Sequence, residues 1–192
     1  MRASGAVLAG GQSRRMGTDK ALLTVDSVTL LDRTVGVLSD VVDSVYVVGG
    51  DHEAAGSAVY VDDLFPGEGP VGGLVSALAS ADADALIVTG CDLPSLTADI
   101  VRQVLDALRV SGADYVVPLA NGRRQWHCAA FRRRCHGPLE LAFNEGARSY
   151  RQALDALSEC ALVLPRPADL VDVDTPEQYA RFRDTGAVDP GR

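Results

Sequence analysis

The stretch Ala6-Val7-Leu8-Ala9-Gly10-Gly11-Gln12-Ser13-Arg14-Arg15-Met16-Gly17-Thr18-Asp19-Lys20-Ala21-Leu22 is a short apolar run that breaks into a loop rich in glycine and cations. The run reads as a buried strand and the Gly pair as its stop. The loop carries no G-x-G-x-x-G, and Gly17 is followed by Thr-Asp-Lys, so neither a dinucleotide fingerprint nor a Walker A loop is present. It still has the makings of a phosphate cradle. Paired glycines let backbone N–H groups approach an anion, and Arg14, Arg15 and Lys20 put three cations into seven residues. A chain of formal net charge −8 that gathers cations on one glycine-rich loop is built to bind an anion there. The competing reading is a solvated loop with incidental charge.

Outward from this stretch, strand and helix signals alternate. Helical stripes fall at 29–42, 71–81, 98–111 and 148–157, with Thr97 as N-cap and Gly112 as stop of the third. Strand signals fall at Val45–Val48, Ala58–Val61, Ala85–Val88, Tyr115–Val117 and Ala161–Leu164. Asn121-Gly122 predicts a hairpin with Trp126–Phe131 returning. Asp174-Thr175-Pro176-Glu177 predicts a last helix start. The alternation predicts a three-layer α/β/α, Rossmann-like fold with a mostly parallel central sheet. Its ligand would bind beyond the carboxyl ends of the strands, at the loops 10–20, 62–73, 91–94 and 172–176. One domain over 1–185 is expected, with 186–192 a flexible tail.

Composition narrows the function. At 192 residues, 47% apolar and 23% charged, the chain has the makeup of one globular domain. Its acidity argues against general nucleic-acid binding and gives no support to anionic membranes. No apolar run reaches bilayer length, and the apolar stretch after Arg2 is too short for a signal peptide, so a cytoplasmic protein is expected. Cys91, Cys128, Cys135 and Cys160 form no close pairs and are expected to be buried free thiols. Of 18 basic residues, only Lys20 is a lysine, which marks it for a role that a guanidinium cannot fill.

The pattern L-A-G-G-x-S-x-R-M-G-x-D-K-A-L resembles the signature of nucleotidyltransferases with a Rossmann-like fold, and within them the molybdenum cofactor guanylyltransferases. The resemblance continues through Gly69-Pro70-Val71-Gly72-Gly73, Cys91-Asp92-Leu93-Pro94 and Asp172-Val173-Asp174-Thr175-Pro176-Glu177, and so spans nearly the whole chain. It implies coupling of GTP to molybdopterin, or to its molybdenum-loaded form, with release of pyrophosphate. It implies Arg15, Lys20 and Asp92 as catalytic residues, and Leu8, Ala9, Gly10, Gly11, Lys20, Asp63, Gly69, Pro70 and Asp92 as nucleotide contacts. Asp92 would hold Mg²⁺. Asp174 is open between a second metal contact, a pterin contact and a helix cap. Asp63 is open between reading guanine and forming a turn.

Trp126 and Arg148 fall on segments similar to the family's pterin side, against a packed hairpin Trp and a surface Arg. Transient contact with molybdopterin-insertion proteins or molybdoenzymes is a further implication. Two departures stand out: Gly49-Gly50 replaces an Asn nucleotide contact, and Asp172 and Asp174 replace an Asn-x-Asn pair. Gly10-Gly11 points to guanine, since cytidylyl relatives read L-A-A-G there. The alternatives are a CTP-dependent enzyme, another small-phosphate nucleotidyltransferase, or a non-catalytic nucleotide- or pterin-binding adaptor. His52 and His136 are expected on surface loops without a role.

Overall fold

The computed structural model describes residues 1–10, 19–50, 56–164 and 170–185. In chain order the elements are β1 (Ala3–Leu8), β2 (Thr24–Val25), β3 (Val28–Thr29), α1 (Leu30–Ser39), β4 (Ser44–Val48), β5 (Val59–Val61) and α2 (Pro70–Ser80). There follow β6 (Ala85–Gly90), α3 (Ala98–Ser111), β7 (Tyr115–Ala120), β8 (Arg123–Arg124), β9 (Cys128–Arg132), α4 (His136–Asn144), α5 (Tyr150–Ala153), β10 (Glu159–Val163) and α6 (Pro176–Thr185).

The main sheet runs β10-β7-β9-β6-β1-β4-β5, with β8 paired to β7. All pairings among β6, β1, β4 and β5 are parallel, as is β10 with β7. Only the hairpin arms break the pattern: β9 lies antiparallel between β6 and β7, and β8 antiparallel to β7. The reversal follows from the Asn121-Gly122 turn, where both residues take positive φ (51° and 73°) as a two-residue hairpin requires.

Strand side chains alternate between two cores. Val7, Val47, Ile87 and Val116 face α1 and α3. Ala6, Val48, Leu86, Val88 and Val117 face α2, α4 and α5. These are the three α/β/α layers that the alternation predicts, and the strands are buried on both sides as a covered parallel sheet demands. A small third core of Val25, Leu30, Val173 and Phe182 docks α6 and the β2–β3 ribbon beside the sheet. Tyr179 of α6 donates its hydroxyl to the Thr24 carbonyl at 2.6 Å. Among the described residues no helix is long and apolar enough to cross a membrane.

Several expectations are adjusted. The helix expected over 148–157 is only the four-residue α5, opened by a Ser149/Gln152 capping box and closed by turns that bring the chain to β10. The returning strand starts at Cys128, because Gln125–Cys128 forms a turn with Cys128 N–H donating to the Gln125 carbonyl at 3.1 Å. The helix α4 has no counterpart in the sequence reading, and His136 opens it, half-buried, instead of lying on a loop. Cys91, Cys128 and Cys135 are buried free thiols, while Cys160 is half-buried. The segment 186–192 and His52 lie outside the described residues.

Candidate active site

From β1 the chain connects outward through β4 to β5, then returns across α2 to β6 on the other side of β1. The reversal opens a crevice at the carboxyl ends of β1, β4 and β6. A cleft of about 290 Å³ lies there. It is lined by Leu8, Ala9 and Gly10 after β1, Asp19 and Lys20, Val48, Asp63, then Gly69, Pro70 and Gly73 at the start of α2. Val88, Thr89, Gly90, Cys91 and Asp92 from the end of β6, with Trp126, His127 and Tyr150, complete it.

The floor between β1 and β4 is made by two glycines in contact. A Cβ on Gly49 would stand 3.1 Å from the Gly10 Cα, and Gly49 holds φ +71°. The Gly49-Gly50 departure thus has a local reason: a side chain at 49 would separate the two strand ends. Gly10 N–H donates to the Val48 carbonyl, holding the β1 exit against β4.

The charged centre lies at the β6 exit. Asp92 is 7% exposed. Its Oδ2 accepts from Lys20 Nζ at 3.2 Å and its Oδ1 faces His127 Nδ1 at 3.2 Å. Lys20 Nζ also bonds Asp174 Oδ1. Three chain segments meet there, each for a local reason. Lys20 begins a 3₁₀ turn capped by Asp19 and anchored by the buried Ala21. Asp174 is brought in because Val173 N–H donates to the Asp92 carbonyl at 2.9 Å. His127 arrives because Gly90 N–H donates to its carbonyl at 3.0 Å.

Asp174 does not cap α6. Thr175 Oγ1 accepts from Gln178 N–H, while Gln178 Oε1 accepts from the Asp174 and Thr175 amides, a reciprocal cap one residue later. The Asp174 carboxylate is therefore spent on Lys20.

Burial opposes ionisation of Asp92, but His127 and Lys20 outweigh it and hold its carboxyl at about 2. Burial likewise pulls on Lys20, and the Asp174 and Asp92 carboxylates reverse this, raising its pKa. Asp172 is pushed up by burial and by Asp174 and Asp92. Burial pushes the Cys91 thiol up to about 12, and Asp92 adds to this.

Asp63 forms a turn: its Oδ1 accepts from Phe65 N–H at 3.0 Å and from Ser76 Oγ at 2.8 Å. It lines the cleft as well, so the two readings are not exclusive. Trp126 stacks on Tyr150 with centroids 5.0 Å apart and is flanked by Tyr115. It is a packed residue whose face also walls the cleft.

Arg148 is not brought to this cleft. Its guanidinium bonds Glu68 and the Phe143 carbonyl and covers the Phe143 ring, stapling the end of α4 to the loop before α2. Gly11 and Arg15 lie outside the described residues. His127 lies in the segment around Trp126 that resembles the pterin side, and Tyr150 carries no site signal in the sequence. His127 follows Trp126 in a turn before an apolar strand, and only the antiparallel insertion of β9 beside β6 brings it to Asp92.

Among the described residues, carboxylates outnumber ammonium groups at the site. Asp19, Asp63 and Asp92 line the cleft and Asp174 joins at Lys20, the one lysine. Two carboxylates already converge on one positive charge, and a hard-oxygen pair of this kind suits Mg²⁺ or Mn²⁺.

Residues 5–161 match the family described as the MobA-like NTP transferase domain. A probable molybdenum cofactor guanylyltransferase from Trichormus variabilis is 34% identical over 181 residues, covering 91% of this chain and 87% of that protein. The crystal structure of molybdopterin-guanine dinucleotide biosynthesis protein A from Archaeoglobus fulgidus superposes with a TM-score of 0.81 at 20% identity, covering 94% and 97% of the two chains. A Mycobacterium tuberculosis protein solved as a complex with manganese superposes with a TM-score of 0.70 at 20% identity, covering 96% of this chain and 100% of that one.

Proposed function

The chain belongs to the MobA-like NTP transferase family, and on that premise we propose that it transfers GMP from GTP to the terminal phosphate of molybdopterin. The products are the guanine dinucleotide form and pyrophosphate. One observation carries the placement of the chemistry: the lone lysine, Lys20, is shared by two carboxylates, Asp92 and Asp174, in the switch-point crevice. The names of the relatives support GTP and molybdopterin as the substrate pair.

The reaction is a displacement at phosphorus. A terminal phosphate oxygen of molybdopterin bonds to the α-phosphorus of GTP, and the bond from that phosphorus to the bridging oxygen of pyrophosphate breaks. The nucleophile is already an anion, so no general base is needed. The difficulty is that two anions must meet. Asp92 and Asp174 would hold Mg²⁺, which supplies Lewis-acid neutralisation of phosphate oxygens. The manganese complex of the Mycobacterium tuberculosis neighbour supports a divalent cation in this fold.

The chain's own groups do the rest. The Lys20 ammonium offsets charge on the phosphates, with a worth of about 3–4 kcal/mol for a well-placed donor in a dry site. Arg15 and the Gly10 and Gly11 amides add to the cradle. Leu8, Ala9, Gly69 and Pro70 flank the nucleotide, and Asp63 accepts from guanine through Oδ2, which takes no hydrogen bond among the described residues. Trp126 and Asp174 face the pterin side.

The test is calorimetry with the four nucleoside triphosphates, with and without Mg²⁺, followed by pyrophosphate release with molybdopterin. We expect GTP to bind more tightly than CTP by at least about 1–3 kcal/mol, the cost of burying an unpaired polar edge. Equal affinities for GTP and CTP would overturn the guanine assignment. Binding without turnover would favour an adaptor.

A further inference from the structure

We propose that His127 is a positioning residue for Asp92: its Nδ1–H fixes Oδ1 and so presents Oδ2 alone to the cation. The inference rests on the reading of Asp92 as the metal-holding carboxylate. The geometry divides the carboxylate between two partners, with Oδ1 3.2 Å from His127 Nδ1 and Oδ2 3.2 Å from Lys20 Nζ. An ionised carboxylate only accepts hydrogen bonds, so Nδ1 carries the proton.

The imidazole is rooted in the strand pair that carries Asp92. Gly90 N–H donates to the His127 carbonyl at 3.0 Å. Cys128, the next residue, is fully buried and pairs with Thr89 across the sheet. Gly90 closes the other side: a Cβ there would stand 2.4 Å from Asp92 Oδ1, so the carboxylate rests directly on bare backbone. Held by His127 and seated on Gly90, Asp92 offers one oxygen. Mg²⁺ is bound by one or two protein carboxylates, and Asp92 held in this way would supply one oxygen to it. Partners that orient a metal-binding group in this way are worth about 10–100-fold in metal affinity. With Oδ1 held by His127, the oxygen that would be left for a cation is Oδ2, the one that Lys20 bonds.

The experiment measures how much Mn²⁺ tightens GTP binding. Calorimetric GTP titrations with and without Mn²⁺ are run on the wild type, His127→Asn, His127→Ala and Asp92→Asn, without molybdopterin, so that no turnover occurs. We expect His127→Ala to lose tenfold or more of the metal-dependent gain while its metal-free GTP affinity hardly moves; its melting temperature falls modestly, because the buried Asp92 loses a hydrogen-bond donor. The Asn amide can donate from near the Nδ1 position, so His127→Asn should recover most of the gain. If Asp92→Asn loses the gain and His127→Ala keeps it, His127 has no positioning role. Equal loss in His127→Asn and His127→Ala, or a matching fall in metal-free affinity, would make the imidazole a direct contact and overturn the proposal. A full gain in Asp92→Asn would remove the metal reading itself, and this inference with it.

Discussion

Lys20 reaches its place through a chain of small requirements: Asp19 caps the turn, Ala21 buries it, and two carboxylates receive the ammonium. A guanidinium is larger and presents its donors in a fixed fork, so it cannot occupy a point between Asp92 and Asp174 and then turn to phosphate. We predict that Lys20→Arg lowers the transfer rate tenfold or more, about 1.4 kcal/mol in the barrier, with little change in melting temperature. Full activity in steady-state pyrophosphate release would leave Arg15 and the loop amides as the phosphate-binding groups. Gly90 is tested by the opposite logic, since the added atom is inert and only space is taken. Its Cβ would fall 2.4 Å from Asp92 Oδ1, so Gly90→Ala must displace the carboxylate. A misplacement of about 1 Å can cost about a hundredfold, and we predict a loss of that order in kcat with an unchanged circular dichroism spectrum. An Ala variant at wild-type rate would mean that Asp92 works equally well from another position.

At the scale of elements, α6 matters because Asp174 stands just before its cap. The Thr175/Gln178 reciprocal cap fixes where the helix starts, and so which carboxylate is left for Lys20. Removing the cap hydroxyl typically costs about 1 kcal/mol. Thr175→Ala should lower the melting temperature by about 2–4 °C for a chain of this size, and Thr175→Ser should restore it; a scanning calorimetry trace unchanged in the Ala variant would relocate the cap. This element also shows what the sequence could reveal. Asp174-Thr175-Pro176 announces a helix start, but not which of two adjacent oxygens caps it, because both residues are good N-caps. The parallel strands and α1 to α3 were legible because their apolar periods are long and their stops are Gly, Pro or Asp. The helix α4 was hidden because Gly137-Pro138 at its start reads as loop, and only Leu139 and Phe143 mark its buried face. That Leu8, Ala9, Gly10, Lys20 and Asp92 gather at one cleft was legible from their type and their place after strands. His127 was not, because its meeting with Asp92 depends on β9 inserting between β6 and β7, a pairing that no local pattern encodes.

Over the whole molecule, the acidic balance also sets how the fold responds to acid. At the far edge, Asp114 joins the starts of β7 and β10. Its Oδ2 accepts from the Ser158 amide at 2.9 Å and hydroxyl at 2.6 Å, and its Oδ1 from Arg134 at 2.7 Å. The Ser158 bonds first, then Arg134, hold its carboxyl at about 2, below the ordinary 3.8. A carboxyl depressed in the folded state binds protons more readily when unfolded. Its stabilising contribution is therefore complete above the unfolded value and is lost as pH falls from about 4 toward 2. Asp92 is held down to the same level and titrates in the same window, so the wild-type curve alone cannot separate the two. The comparison that does so is Asp114→Asn, which retains Asp92 and its partners. We predict that urea midpoints of the two proteins converge between pH 5 and pH 2.5, because the wild type loses the Asp114 contribution and the variant has none to lose. The variant should start lower at pH 5, since the Asn amide cannot match an ionised acceptor facing Arg134. Parallel curves across that range would mean that the β7–β10 edge has already opened before global unfolding and contributes nothing to the measured acid sensitivity.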